Sequence, residues 1–196
     1  MKEVAFISRG EEIYGTLYGN SNVGVVLCPP HPLYGGSRND MRLTKVTEKL
    51  VINGISAFCI DYGSYGRGVK EVQDASAAVN YLRKNCKSVG LFGYSFGAVI
   101  ASVATAMLPD LKGLAVMAIL KEVDDVKVDV SSNCPKLFVH GKYDDVAPYS
   151  DFEMVYSQAS GRKKCLIVET GHFYMETQIL EMVSKRIYEF FAELLM

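Results

Sequence analysis

Three kinds of residue in this 196-residue chain could act together in nucleophilic chemistry: a serine between glycines, a few histidines, and aspartates between them. Gly93, Tyr94, Ser95, Phe96 and Gly97 form a GxSxG motif. The apolar run Val89, Gly90, Leu91, Phe92 precedes it, and a run of small apolar residues from Ala98 to Ala104 follows. Strand, serine, helix is the order that lifts a serine Oγ out of the C-terminal edge of a sheet, and a Cβ at either flanking glycine would meet a neighbouring element. A serine hydroxyl is a poor nucleophile near neutrality, so it needs a base within hydrogen-bond reach and a third group to hold that base. Histidine suits the role, with an unperturbed pKa of about 6.5. The chain has three, His31, His140 and His172. His140 closes a strand before a glycine, which favours a structural role, and His31 lies in a proline-bounded turn. His172, on a post-strand loop downstream of both Ser95 and an acid, is the predicted base. Asp144 and Asp145 follow the strand that ends at His140, and spacing alone does not separate them. Asp124 and Asp125, after the preceding strand, are a second and less favoured source.

The elements that must position these residues follow from the apolar pattern. Val4 to Ser8 and Ile13 to Tyr18 read as an antiparallel hairpin. Val23 to Cys28, Ile55 to Ile60, Val89 to Phe92, Leu114 to Ile119, Leu137 to Val139 and Cys165 to Val168 are short apolar runs, the mark of strands buried on both faces. Between them lie helical stretches: Met41 to Ile52, with Ser37 or Asn39 as cap, then Val72 to Leu82 and Ser150 to Gln158. A terminal stripe runs from Ile179 through Val183, Ile187 and Phe191 to Leu194. This alternation predicts an α/β fold with a mostly parallel central sheet, an N-terminal antiparallel hairpin and helices on both faces. Sites in such sheets lie at the C-terminal strand ends. The loops His31 to Gly36, Gly93 to Gly97, Lys142 to Asp145 and Gly171 to His172 all follow strands, so they are predicted to share one edge.

The totals narrow the function classes. A single domain over residues 1–196 is expected, and 49% hydrophobic content suffices for a sizeable core. A net charge of −1 with scattered Lys and Arg excludes a basic field for nucleic acid. No apolar run reaches membrane-spanning length, and Glu3, Arg9, Glu11 and Glu12 interrupt any signal-like core. A cytoplasmic protein without membrane partners is the expectation. The five cysteines include no CxxC pair, and no histidine stands at metal-ligand spacing, so neither metal nor cofactor is predicted. Cys28, Cys59 and Cys165 sit in strand-like runs and read as reduced, structural thiols.

Four motifs in order carry a resemblance over nearly the whole chain: HPLYGG at 31–36, GYSFG at 93–97, HGKYD at 140–144 with Pro148 beyond, and GHF at 171–173. The chain resembles a small, lidless member of the α/β-hydrolase superfamily, in the dienelactone-hydrolase-like group that pairs a His-Pro-x-Tyr-Gly-Gly loop with GxSxG. The order Ser, Asp, His along the chain is that superfamily's. The resemblance implies an α/β-hydrolase fold without a cap domain and a triad of Ser95, His172 and Asp144, the aspartate of HGxxD. It also implies an oxyanion hole from the backbone N–H of Phe96 and one from the HPLYGG loop, Leu33 or otherwise Tyr34. Two departures set the chain apart. Dienelactone hydrolases have Cys at the position of Ser95, so their substrate does not carry over, and the loop DYGSYGRG after Asp61 lacks the arginine that relatives often place there.

The implied activity is a carboxylesterase-like serine hydrolase (EC 3.1.1) acting on esters of small or medium acyl groups. Thioester, lactone or small-peptide cleavage with the same residues, or a non-catalytic ligand-binding member of the fold, are the alternatives. Leu120 to Asn133 is too short and too charged for an apolar lid, so an open site is predicted, its mouth lined by Tyr34, Tyr65, Phe96 and Phe173. The expected partner is a small-molecule acyl substrate, and the residues leave monomer and homodimer both open.

Overall fold

The computed structural model describes residues 1–196. In chain order it has strands β1 (Lys2–Ser8), β2 (Glu11–Tyr18) and β3 (Val23–Cys28), helix α1 (Met41–Ile52), β4 (Ser56–Ile60) and α2 (Val69–Leu82). Then come β5 (Ser88–Tyr94), α3 (Phe96–Met107), β6 (Leu114–Met117), β7 (Glu122–Val123), β8 (Val126–Lys127), β9 (Lys136–Gly141), α4 (Tyr149–Gln158), β10 (Lys163–Val168) and α5 (Thr177–Leu195). Eight strands form one sheet in the order β1-β2-β4-β3-β5-β6-β9-β10. β2 pairs antiparallel with both β1 and β4, and all the remaining pairs are parallel. This is an α/β-hydrolase fold with no cap domain. Where a lid could have been inserted there is only the small β7–β8 hairpin.

The strands read as unbroken apolar runs because both faces of the sheet are covered. Along β3, Val26 and Cys28 face the core under α2 and α3, while Val25 and Leu27 face the core under α1 and α5. Strands β4, β6 and β9 alternate in the same way, with Phe58, Val116 and Phe138 on the first side and Ala57, Met117 and Val139 on the second. The stripe on α5 covers this second core with Val183, Ile187 and Phe191. Its apolar face is therefore used within the chain. Helix α1 begins one residue after Asp40, whose Oδ1 accepts from the Arg42 N–H at 2.9 Å, so Asp40 is the cap in place of the expected Ser37 or Asn39. Of the cysteines expected to pack inside strands, Cys28 and Cys59 are buried, whereas Cys165 on edge strand β10 is exposed.

Strand register is what brings the four loops together. Cys28 pairs with Gly93, Tyr94 with Met117, Met117 with Val139, and Gly141 with Val168, so β3, β5, β6, β9 and β10 end on nearly one line. Away from that edge, the N-terminal hairpin is pinned by a buried carboxylate. Asp74 on α2 accepts from Arg9 Nη2 at 2.9 Å, from Arg9 Nε at 3.2 Å and from the Gly63 N–H at 3.0 Å. Removing one partner of a buried pair costs about 3–5 kcal/mol, and Arg9 is 17% exposed, so Asp74→Ala should destabilise by about 3 kcal/mol. A urea titration that found less than about 1 kcal/mol would contradict this account of the hairpin.

Candidate active site

The turn at Ser95 is shaped by close approach of backbone to backbone. A Cβ on Gly93 would lie 2.1 Å from the Gly97 carbonyl oxygen, and one on Gly97 would lie 2.3 Å from the Cys28 oxygen. Only hydrogen fits at either place. Ser95 takes φ 56° and ψ −120°, a region costly for any residue with a side chain. Its N–H donates to the Met117 carbonyl at 2.9 Å, which ties the strained residue to β6. The following Phe96 opens α3, so its N–H has no acceptor within the helix.

The Ser95 hydroxyl lies 2.9 Å from His172 Nε2, and His172 Nδ1 lies 2.9 Å from both carboxylate oxygens of Asp144. Ser95, His172 and Asp144 therefore meet in one line of hydrogen bonds, although they come from the ends of three strands. Nδ1 facing a carboxylate carries the ring proton, which leaves the Nε2 lone pair toward the serine. The Asp144 side chain is fully buried, and its Oδ1 also accepts from the N–H groups of Val146 at 3.0 Å and Ala147 at 2.7 Å. Asp145 is exposed and lies outside this line, so the geometry separates two aspartates that spacing could not. The Tyr94 hydroxyl donates to the His172 carbonyl at 3.0 Å, steadying the histidine loop from the strand below.

His140 supports the same turn from beneath. Its Nε2–H donates to the Ala147 carbonyl at 2.9 Å, and its ring stacks on Phe152 at 4.7 Å. Burial pushes its imidazole below the ordinary value, favouring the neutral ring. The structural role read from its position beside Gly141 is thus given a contact, a carbonyl two bonds from the N–H that holds Asp144.

The HPLYGG loop departs from expectation. Residues Pro32–Tyr34 form a 3₁₀ turn in which the Leu33 N–H donates to His31 Nδ1 at 3.2 Å and the Tyr34 N–H to the His31 carbonyl at 3.1 Å. Both expected oxyanion donors are consumed inside the turn, a local geometry that Pro32 starts and Gly35 closes in the left-handed region. The N–H of His31 itself makes no bond within the chain. Tyr65 is likewise not at the mouth: its hydroxyl donates to Asp124 Oδ2 at 2.5 Å. Phe96 is buried, so of the expected aromatic lining only Tyr34 and Phe173 border the cavity.

That cavity measures about 380 Å³ and holds Ser95 and His172 between the His31 to Gly36 turn and the Val146 and Phe173 side. At one end lie Asp40 and Arg42, which no sequence motif marks as part of the site. The Arg42 guanidinium bridges to Asp40 at 2.5 Å and stacks over Tyr94 at 4.7 Å. An acidic cap followed two residues later by arginine was the only signal that could have pointed there. A larger groove of about 680 Å³ beside α1 contains Cys59, its thiol hydrogen-bonded to Thr47 and pushed up to about 11 by burial.

A parallel sheet with a GxSxG serine raised at the end of β5, no cap domain, and a histidine within hydrogen-bond reach define a small α/β hydrolase of the serine type. Residues 62–176, more than half of the chain, match the family model described as Serine hydrolase (FSH1). The chain belongs to this FSH1 serine hydrolase family. It is 28% identical over 165 residues to the uncharacterized protein RP471 of Rickettsia prowazekii (strain Madrid E), covering 76% of this chain and 68% of the relative. Among solved structures it is similar to the Xanthomonas campestris protein XC6422, a serine hydrolase without a lid, with TM-score 0.82, 18% identity and coverage of 99% of this chain and 94% of the other. It is similar also to the Pyrococcus furiosus esterase Pf2001, with TM-score 0.87, 16% identity and coverage of 100% and 91%. No helix is long and apolar enough to cross a membrane.

The depressed His140 has a consequence for stability. Below the unfolded-state value of about 6.5 the unfolded chain takes up a proton that the folded one resists, so stability present above that pH is lost as pH falls toward the folded value. Urea unfolding at pH 7.5 and pH 5.5 should show a smaller acid-side loss for His140→Gln than for the wild type. Equal losses in the two proteins would contradict the assignment.

Proposed function

We propose that this serine hydrolase cleaves carboxylic esters of small or medium acyl groups through Ser95, His172 and Asp144. The observation that carries the reading is the unbroken Ser95–His172–Asp144 line, 2.9 Å at each step, opening on a cavity of about 380 Å³. Ser95 Oγ attacks the acyl carbonyl carbon as its proton passes to His172 Nε2, and the carbonyl π electrons move onto oxygen. Asp144 holds the imidazole by Nδ1 and stabilises the imidazolium. As the tetrahedral species collapses, the bond to the alcohol oxygen breaks and His172 returns the proton to it. Water, deprotonated by His172, then attacks the acyl-serine and releases the carboxylic acid with Ser95 restored.

The developing oxyanion needs preorganised donors, and two N–H groups are free to serve. One is Phe96, at the start of α3, and the other is His31, whose N–H is unspent while those of Leu33 and Tyr34 are not. The acyl group then lies against Tyr34 and Phe173 at the open mouth, 87% and 55% exposed, which suits modest apolar or aromatic groups. A chain of this length with one core on each side of one sheet is read as a single domain, over residues 1–196.

Intact-mass labelling with a fluorophosphonate tests the reading. The wild type should gain one adduct at Ser95, and Ser95→Ala and His172→Gln should gain none while keeping the wild-type melting temperature to within a few degrees. Asp144→Asn should lower kcat on p-nitrophenyl butyrate by about 10⁴, since an asparagine there favours the wrong ring tautomer. A folded wild type that stays unlabelled, or a Ser95→Ala protein with wild-type turnover, would overturn the proposal. Preference for the matched thioester or lactone over the ester would reassign the substrate and leave the mechanism in place.

A further inference from the structure

Beside the cavity stands a second His–Asp couple that the mechanism does not use. His31 comes from the turn after β3, Tyr65 from the loop between β4 and α2, and Asp124 from the turn of the β7–β8 hairpin. The Tyr65 hydroxyl donates to Asp124 Oδ2 at 2.5 Å, and His31 Nε2 lies 3.4 Å from that carboxylate oxygen and 3.4 Å from the Tyr65 oxygen. The bond to Asp124 is also what chiefly pushes the Tyr65 phenol up to about 12. On its other side the ring accepts the Leu33 N–H at Nδ1, 3.2 Å away, so its own proton sits on Nε2, toward Asp124. With both nitrogens engaged, His31 has none free to relay a proton. It is placed to hold.

What it holds is the exposed turn that carries its own N–H. Leu33 and Tyr34 are 64% and 87% exposed, so packing does little to fix residues 32 to 34. The imidazole supplies the missing anchorage: it lies 4.6 Å from the Phe96 ring and 4.6 Å from the Tyr34 ring, and it faces Tyr65 and Asp124 from two other loops. The hairpin it reaches is itself stapled to the Tyr65 loop, since Arg67 pairs with Asp125 at 2.7 Å and the Asp125 N–H donates to the Arg67 carbonyl at 3.2 Å. Phe96 is the residue whose N–H is the first oxyanion donor. One ring thus belongs to the second donor residue and packs on the first.

We infer that His31 is a positioning residue, whose imidazole, tied to Tyr65 and Asp124, fixes its own backbone N–H and that of Phe96 around the oxyanion. This rests on the oxyanion reading given above. The donors are called on only when charge develops on the carbonyl oxygen, so loosening them raises the barrier to chemistry and leaves ground-state binding nearly unchanged. The hairpin that occupies the place of a lid becomes, on this view, a brace for the oxyanion turn.

The test is a set of variants assayed on p-nitrophenyl butyrate beside the rate of fluorophosphonate labelling. Tyr65→Phe and Asp124→Asn keep ring and shape but break the tie, and each should lower kcat by about tenfold with KM within roughly twofold, less than the 10²–10³ that loss of a whole donor costs. In His31→Asn the amide oxygen still accepts the Leu33 N–H across a two-residue turn but does not reach Asp124, so this variant should fall to the same level, and His31→Ala well below it. Because the tie is one unit, His31→Asn combined with Asp124→Asn should be no slower than His31→Asn alone. Wild-type kcat in both Tyr65→Phe and Asp124→Asn, or a double variant whose loss is the product of the singles, would overturn the inference while wild-type labelling at Ser95 left the proposed function standing. Absence of labelling in the wild type would overturn both. Should His31→Asn fail to fold, Tyr65→Phe, which removes a single hydroxyl from a half-buried side chain, decides the matter.

Discussion

The structure depends most on the contact between the start of α3 and the end of β3. Gly97 lies so near the Cys28 and Pro29 carbonyls that a methyl group would sit 2.3 Å from the first and 2.4 Å from the second. That approach forces the chain to turn within one residue, and the residue that turns is Ser95, at φ 56°. A strain of this kind costs on the order of 1–3 kcal/mol and persists only where the surroundings over-determine it. Here they do. The Ser95 N–H is bonded to Met117 on β6, Gly93 is in register with Cys28 on β3, and α3 is packed through Val99, Ile100 and Ala101 into the core below. The same contact that makes the serine prominent also brings the β3 turn, with its free N–H, to the side of that serine. The positions of Ser95 and of the β3 turn are one constraint, not two.

The acid end of the site is organised differently, by satisfying a buried charge. Asp144 has no exposed side-chain surface, and an ionised carboxylate is tolerable there only because the Val146 and Ala147 N–H groups and His172 all point to it. His140 adds a bond at one remove, through the Ala147 carbonyl. Proline 148 and the start of α4 then carry the chain away. The turn is a short stretch of backbone wrapped on a single anion, which explains why HGKYD works as a motif: the histidine and the aspartate hold opposite edges of the same loop.

Much of this was legible in the sequence, and particular residues show where legibility stops. Runs such as Val23 to Cys28 announced doubly covered strands because burial on both faces removes the polar alternation, and Gly93 and Gly97 announced the elbow because sterics there admit nothing larger. Leu33 and Tyr34 misled because resemblance transfers a loop but not the direction of its N–H groups, which His31 side chain and carbonyl decide locally. Tyr65 was expected at the mouth because it lies on a loop that follows a strand, and only the fold brings Asp124 within reach of its hydroxyl. Cys165 resembles Cys28 and Cys59 in its apolar neighbours, yet it lies on the edge strand, and edge position is a property of topology that a strand's own residues do not encode. Arg42 is illegible for a similar reason, since a helix's second residue carries no mark of the cavity it borders.

The absence of a cap domain shifts where a low-dielectric environment comes from. Hydrolases that close a lid exclude water from the whole reacting centre, whereas here Tyr34 and Phe173 stand largely in solvent. The parts that depend most on a dry setting are nonetheless dry: Asp144 is sealed beneath its own turn, and the His172 side chain is 4% exposed. Ser95 borders the open cavity beside His31, Tyr94 and His172, and oxyanion donors of the kind proposed act through hydrogen bonds whose strength depends on alignment more than on bulk exclusion of water. On the proposed reading, rigidity of the donors replaces enclosure. A turn exposed at Leu33 and Tyr34 gains little rigidity from packing, so it draws on polar ties: the backbone bonds of Tyr34, Gly35 and Gly36 within the turn, and the contacts of the His31 ring with Tyr65 and Asp124. On the proposed reading, an open site and a braced β3 turn are two sides of one requirement.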